Sequence, residues 1–199
     1  MQLTTVPMES LRNEMAVKTR AGNISEVMEV TTIGECNEFF PNATRVSCPR
    51  YDKCEEDLVA SHRFYLSFEN SECKEYITEK FFNRISQLLV PIVQNRVIYS
   101  EEETCNTQNL AQDIPQDSFL AISDYDNLND MAKHIDFLMR NDSAYLEYFK
   151  WTKIYRKPNI FTSKVLCDLC ADLYAKKRMR IDNIRKYYFM NQCGPIFDN

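Results

Sequence analysis

Short apolar runs alternate along this chain with stretches whose apolar residues recur every three or four positions. That alternation confines the chain to few folds. Met28 to Gly34 is β-branched and ends on a glycine, which predicts a strand. Phe64 to Phe68 is a short apolar run and predicts a buried strand. Tyr76 to Leu88 then places Ile77, Phe81, Ile85 and Leu88 at steps of 4, 4 and 3, one face of a helix. Leu89 to Val93 predicts another buried strand, with Pro91 pointing to distortion or an edge. Ser118 to Ile122 predicts a further strand. Asn127 to Arg140 follows as a helix, with Leu128, Met131, Ile135 and Leu138 on one face. Another helix begins at Ser143, and the tail from Phe161 to Phe189 is helical in pattern. Residues 35–55 read as a loop that disulfides could brace, and residues 94–117 as polar and irregular. Strands alternating with helices predict an α/β fold on a mostly parallel sheet. Such sheets bind ligands at the carboxyl ends of their strands.

Composition removes several functions. The 199 residues carry 24 Lys plus Arg against 29 Asp plus Glu, net charge −5. That speaks against a nucleic-acid partner, whose affinity leans on neutralising phosphates. The basic, aromatic stretches Lys176 to Arg180 and Arg185 to Phe189 read as a solvated helix face. The three glycines, Gly22, Gly34 and Gly194, are too far apart for a dinucleotide fingerprint or a phosphate-binding loop. Two histidines, His62 and His134, cannot build a multi-histidine metal site, and both read as structural or surface residues. Asp124-Tyr-Asp126 has the form of a metal-binding Asp-x-Asp. Its place between a strand and a helix reads instead as capping, so no metal site is expected. No apolar run approaches the roughly 18 residues of a membrane span, and the first 15 residues lack a signal-peptide core.

Eight cysteines permit disulfides without fixing their pairing. Cys167-x-x-Cys170 alone is compatible with half a zinc site, a redox pair or a local disulfide. Sequons at Asn23, Asn42 and Asn141 join the cysteines in pointing to a lumenal or secreted chain with N-glycans.

The segment after Phe68 crowds Glu69, Asn70, Ser71, Tyr76, Thr78, Glu79 and Lys80 between a buried strand and an apolar helix face. A helix N-terminus offers free N–H groups to an anion, and Lys80 adds a positive charge there. Solvated charges at a helix start would look the same. The string decides between the two readings. Phe68-Glu-Asn-Ser71, Cys73 and Tyr76-Ile-Thr-Glu-Lys-Phe-Phe82 strongly resemble the donor-binding motif of the α-1,3/α-1,4-fucosyltransferase family. Val90-Pro-Ile-Val93, Pro115 to Asp124, and Tyr145 to Trp151 resemble segments further along that family, and the likeness covers roughly residues 28–193.

The resemblance implies an inverting, type II Golgi membrane glycosyltransferase of the B-type fold, with two Rossmann-like domains. Residues 28–155 would be the donor-binding domain, 156–199 a C-terminal helical tail, and 1–27 an unassigned remnant. The N-terminal acceptor domain, membrane anchor and catalytic base would be missing from this chain. GDP-fucose would be the donor, with no cofactor or divalent metal needed to bind it. The acceptor would be a GlcNAc or glucose hydroxyl of an N-glycan or N-acetyllactosamine. Asn70, Tyr76, Glu79 and Lys80 would contact the donor, Glu79 at hydroxyls and Lys80 at the diphosphate. Arg20 is a further donor-binding candidate. Cys167 and Cys170 fit the family's C-terminal cysteine pair. Three residues apart on a helix, their Cα atoms fall within bridging range, so a local disulfide is expected. Leu88 and Asn95 stand where the family usually has glycine. The other reading is a truncated, inactive nucleotide- or glycan-binding remnant.

Overall fold

The computed structural model describes residues 3–5, 23–33, 42–48, 52–69, 72–73, 76–99, 114–155, 161–177, 180 and 182–183. Six parallel strands form one sheet: β1 (Leu3–Thr5), β2 (Val30–Ile33), β3 (Thr44–Val46), β4 (Phe64–Leu66), β5 (Val90–Val93) and β6 (Leu120–Ala121). Their order is β3-β2-β1-β4-β5-β6, the doubly wound arrangement of a Rossmann-like fold. Strand order reverses between β1 and β4, which pair through Leu3 with Phe64 and Thr4 with Tyr65.

The α/β expectation therefore holds, and burial explains why it was readable. β2, β4 and β5 are buried along their whole lengths, as parallel strands covered on both faces are. On one face Phe64, Leu66, Val90 and Ile92 pack with Ile24 of α1 (residues 23–27) and with Met131, Ile135 and Leu138 of α4 (Leu128–Arg140). On the other, Val93 and Ala121 meet Ile77 together with Phe81 and Ile85 of α3 (Glu79–Ile85). Asn127 caps α4 by accepting the Asp130 N–H at 3.0 Å. Asn141 caps the next helix, α5 (Asp142–Glu147), by accepting the Ala144 N–H at 3.0 Å.

Several expectations need correction. Residues 1–27, read as an unassigned remnant, supply β1, an inner strand paired with both β2 and β4. Residues 35–55, read as a loop, contain β3 and the start of α2 (Lys53–Ala60). β3 is an edge strand of sequence Thr-Arg-Val whose residues are exposed or half-buried, so it carries no apolar signal. A Cys48–Cys54 disulfide does brace this segment, with Cα atoms 5.8 Å apart. The strand expected over Ser118 to Ile122 shrinks to Leu120–Ala121, because Ile122–Asp124 coils into a 3-10 turn. The helical tail is described as α6 (Phe161–Tyr174).

β5 is no edge: β4 and β6 flank it, and Pro91 sits within it. The Val90 N–H donates to the Arg63 carbonyl at 2.9 Å, and the Ile92 carbonyl accepts from the Ser67 N–H at 2.8 Å. Both point toward β4, so the N–H that Pro91 lacks falls on the β6 side. Pairing with β6 begins only at Ile92, so the ladder loses nothing there.

The Cys167–Cys170 bridge is not formed. Both thiols are free and exposed on α6. Side chains three apart on a regular helix have Cβ atoms about 5–6 Å apart, against the roughly 3.5–4.5 Å that a disulfide needs. Cα reach alone was the wrong criterion.

Candidate functional site

The polypeptide leaves β4 through Ser67, Phe68 and Glu69, all buried, and returns to start α3 at Glu79. Alternation along the extended chain puts Glu69 on the same side as Tyr65 and Ser67. Its carboxylate is only 2% exposed. A buried carboxylate needs donors, and Glu69 has them. The Thr78 N–H donates to Oε1 at 2.8 Å, and the Thr78 hydroxyl lies 3.0 Å and 2.8 Å from the two oxygens. Lys80 Nζ lies 3.5 Å from Oε2. Thr78 is also the N-cap of α3, accepting the Lys80 N–H at 3.4 Å. The anion expected at this helix start is thus supplied by the protein itself.

Among the described residues the Lys80 ammonium has three neighbours: Glu69 Oε2, Thr78 Oγ1 at 3.4 Å and Glu79 Oε1 at 3.6 Å. Glu69 and Thr78 accept hydrogen bonds from the ammonium, whereas Glu79 at 3.6 Å is an ion-pair neighbour only. The three contacts are long and two are to carboxylates, leaving the Glu69–Glu79–Lys80 group at net −1. Glu79 is 69% exposed and free to turn outward, whereas Lys80 is 15% exposed. Tyr76 is half-buried just before this group, its N–H donating to the Cys73 carbonyl at 3.1 Å. Tyr99 packs beneath with Phe81 and Phe119, and burial, then the Glu69 charge, push its hydroxyl well above the ordinary range.

Of the expected donor residues, Glu79 and Lys80 come together here, Tyr76 precedes them in the chain by three and four residues, and Asn70 and Arg20 lie outside the described residues. The sequence reading passed over Glu69 as a site residue. Its signal was an acid directly after a buried strand run, a position that demands a partner. Among the described residues, two buried side-chain nitrogens and one hydroxyl have no hydrogen-bond partner: Gln94 Nε2, Trp151 Nε1 and Ser67 Oγ. Ser67 and Gln94 follow the carboxyl ends of β4 and β5, the edge where such sheets take ligands.

The β6 edge holds a second polar group. Arg96 donates from Nε to both oxygens of Asp124 at 2.9 Å and from a terminal nitrogen to one of them at 2.7 Å. It also reaches the Gln116 carbonyl at 2.8 Å and stacks 4.5 Å from the Phe119 ring centroid. Asp124 is therefore an ion-pair partner of Arg96 rather than the expected cap, and Asn127 caps α4. Among the described residues, no group of three or more His, Cys, Asp or Glu could hold a metal ion. A groove of about 600 Å³ runs beside this pair, lined also by Tyr125, His134, Phe137 and Tyr148. The Tyr125 hydroxyl is 2.5 Å from His134 Nδ1. Within its lining Arg96 is paired with Asp124 and Tyr125 with His134, and the expected donor residues lie elsewhere. His62 is buried, with Nδ1 2.6 Å from the Leu58 carbonyl and Nε2 3.1 Å from Thr31 Oγ1.

Among the sequons, Asn23 and Asn42 are exposed, whereas Asn141 is half-buried and caps α5. Among the described residues, no helix is long and apolar enough to cross a membrane.

The family model described as glycosyltransferase family 10 (fucosyltransferase), C-terminal, matches residues 8–187. The alpha-(1,3)-fucosyltransferase fut-5 of Caenorhabditis elegans is 29% identical over 184 residues, covering 87% of this chain and 45% of that protein. Glycoprotein 3-alpha-L-fucosyltransferase A of Drosophila melanogaster is 30% identical over 161 residues, covering 80% of this chain and 29% of that protein. The chain spans under half the length of these curated relatives. A crystal structure of an alpha1,3-fucosyltransferase with GDP-fucose superposes with a TM-score of 0.53 at 17% identity, covering 91% of this chain and 49% of that one. At that identity the likeness speaks to the fold.

Proposed function

This chain belongs to glycosyltransferase family 10, the fucosyltransferases, and on that premise we propose that its β4–α3 segment binds GDP-fucose. One observation carries the reading. Glu79 and Lys80 meet Glu69 at the carboxyl end of β4, beside the reversal of strand order where doubly wound sheets take nucleotides, with Tyr76 just before them in the chain. Lys80 meets the diphosphate. Glu79, exposed, turns from Lys80 to hydroxyls of the donor and leaves the side of the ammonium it faced to a phosphate oxygen. That movement removes one carboxylate from Lys80 and brings the local charge from −1 to 0 before donor charge is counted. Asn70 and Arg20 complete the contacts, and Arg20 supplies the second cation that a diphosphate calls for. The Lys80 ammonium takes the role a divalent metal plays elsewhere, easing the departure of GDP.

In the whole enzyme, a base from the acceptor-binding half takes the proton of a GlcNAc or glucose hydroxyl in an N-glycan or N-acetyllactosamine. That oxygen attacks the anomeric carbon of fucose from the face opposite GDP, and inversion results. The donor domain spans residues 3–155, since β1 is part of its sheet, with 156–199 as a tail. The enzyme works in the Golgi lumen as a type II membrane protein, with N-glycans at Asn23 and Asn42. The crowding of Lys80 by two carboxylates favours a second reading, a non-catalytic nucleotide- or glycan-binding protein.

Purified chain, alone and together with the acceptor-binding half of a family member, tests both with labelled GDP-fucose and an N-acetyllactosamine acceptor. Calorimetric GDP binding supports the site. Because the base is assigned to the acceptor-binding half, the chain alone is expected to bind GDP without transfer. Transfer once that half is supplied, lost in Glu79→Ala, supports catalysis, and binding without transfer even then supports the second reading. Absence of both removes the donor site.

A further inference from the structure

We propose that Glu69 is a positioning residue for the donor phosphate: it acts through Lys80, holding the ammonium where the diphosphate arrives. This rests on the reading that Lys80 meets that diphosphate. Glu69 is the least exposed charged group of the cluster, at 2%, and its carboxylate binds two elements at once. Through Thr78 it fixes the residue that begins α3, and through Oε2 it fixes the side chain of Lys80 two residues later. Glu79 also touches Lys80, but at 69% exposure it is not an anchor. Thr78 Oγ1, the remaining neighbour of the ammonium, is itself held by Glu69. Among the described residues, every fixed contact of Lys80 therefore traces back to one buried carboxylate.

A cap serving α3 alone would need only the Thr78 N–H and hydroxyl. The Lys80 contact is the part that folding of α3 does not require. Without it, Lys80 keeps its charge but must be ordered by the ligand, and ordering a long side chain on binding weakens affinity. Removing a nearby negative charge would act in the opposite direction, tightening the grip on a polyanion. The sign of the effect separates positioning from simple counter-charge.

The test is a double-mutant cycle on GDP affinity, measured by calorimetry on the full chain, with melting temperature as the folding control. Glu69→Gln keeps an acceptor for the Thr78 N–H and loses the charge. In the Lys80 chain, E69Q is expected to weaken GDP binding about three- to tenfold. In a Lys80→Ala background the same change is expected to do almost nothing, because Glu69 acts through that lysine. A structural role would give equal losses in both backgrounds, and that result overturns the proposal. So does unchanged or tighter binding in E69Q. If E69Q does not fold, Glu69→Asp, which keeps the charge and withdraws it by one methylene, enters the cycle with the same expectations. If Lys80→Ala alone leaves GDP affinity unchanged, the Lys80 reading fails, and the proposal built on it fails with it.

Discussion

Two cations stand near the carboxyl edge of this sheet, Lys80 beside β4 and Arg96 after β5, and the protein treats them in opposite ways. Arg96 grips one carboxylate at 2.7–2.9 Å, adds two carbonyls and lies over an aromatic ring. Its donors are committed and its geometry is that of a clamp between the segment after β5 and the 3-10 turn after β6. Lys80 is held at 3.4–3.6 Å by three oxygens, one of them on an exposed side chain. Short, saturated contacts mark a cation that holds the fold. Long, exchangeable ones mark a cation with room for a ligand. Net charge near each tells nothing of this, since both pair with acids.

Exchanging the two roles by mutation is the most direct way to break the contrast. Lys80→Ala should lower GDP affinity by about 10- to 150-fold, the loss of a charge-assisted contact worth about 1.5–3 kcal/mol. Calorimetry reads this, and unchanged affinity would remove Lys80 from the site. Arg96→Ala should do the reverse. It should cost about 2 kcal/mol of stability, a fall of roughly 4–8 °C in melting temperature, while GDP affinity stays within twofold. A large affinity loss in a folded Arg96→Ala chain would mean the donor site extends to β6.

A smaller effect lies at the far end of α3. Leu88 has φ 63°, in the left-handed region. The Leu89 N–H reaches the Arg84 carbonyl at 3.3 Å, and the Leu88 N–H reaches that of Ile85 at 3.0 Å. This is a Schellman motif with leucine where glycine fits best. At 56% exposure the Leu88 side chain packs little. Leu88→Gly should therefore stabilise the chain by about 0.5–1 kcal/mol, the relief of backbone strain exceeding the glycine's extra unfolded-state entropy. A lower melting temperature would contradict this. GDP affinity should not move.

The smallest expected effect concerns pH. Burial lowers the pKa of His62 below its ordinary 6.5, so the folded state resists the proton that the unfolded state accepts. Stability should fall as pH drops below 6.5, and His62→Gln should flatten that slope in melting curves recorded from pH 7.5 to 5. An unchanged slope would show that other groups set it; His134, also lowered by burial, is the first to examine.

The sequence displayed what burial enforces. Phe64 to Phe68, Val90 to Val93 and the Met131–Ile135–Leu138 stripe were readable because each is covered by packing that tolerates only apolar residues. β1 and β3 were not readable: Leu-Thr-Thr and Thr-Arg-Val are three-residue strands without an apolar run, recruited by neighbours. Leu88 was misplaced on the helix face, since periodicity cannot see a chain reversing after Ile85. Tyr76, Glu79 and Lys80 were legible as a motif, but Glu69 became visible as their organiser only when its burial and its hold on Thr78 and Lys80 were known.

Hydrogen exchange of the chain with and without saturating GDP compares the two regions in one measurement. Binding at the β4–α3 segment predicts slowed exchange across Ser67 to Phe82, with Gln116 to Tyr125 unchanged. Protection confined to Gln116 to Tyr125, or none anywhere under saturating GDP, would contradict a donor site built on Lys80.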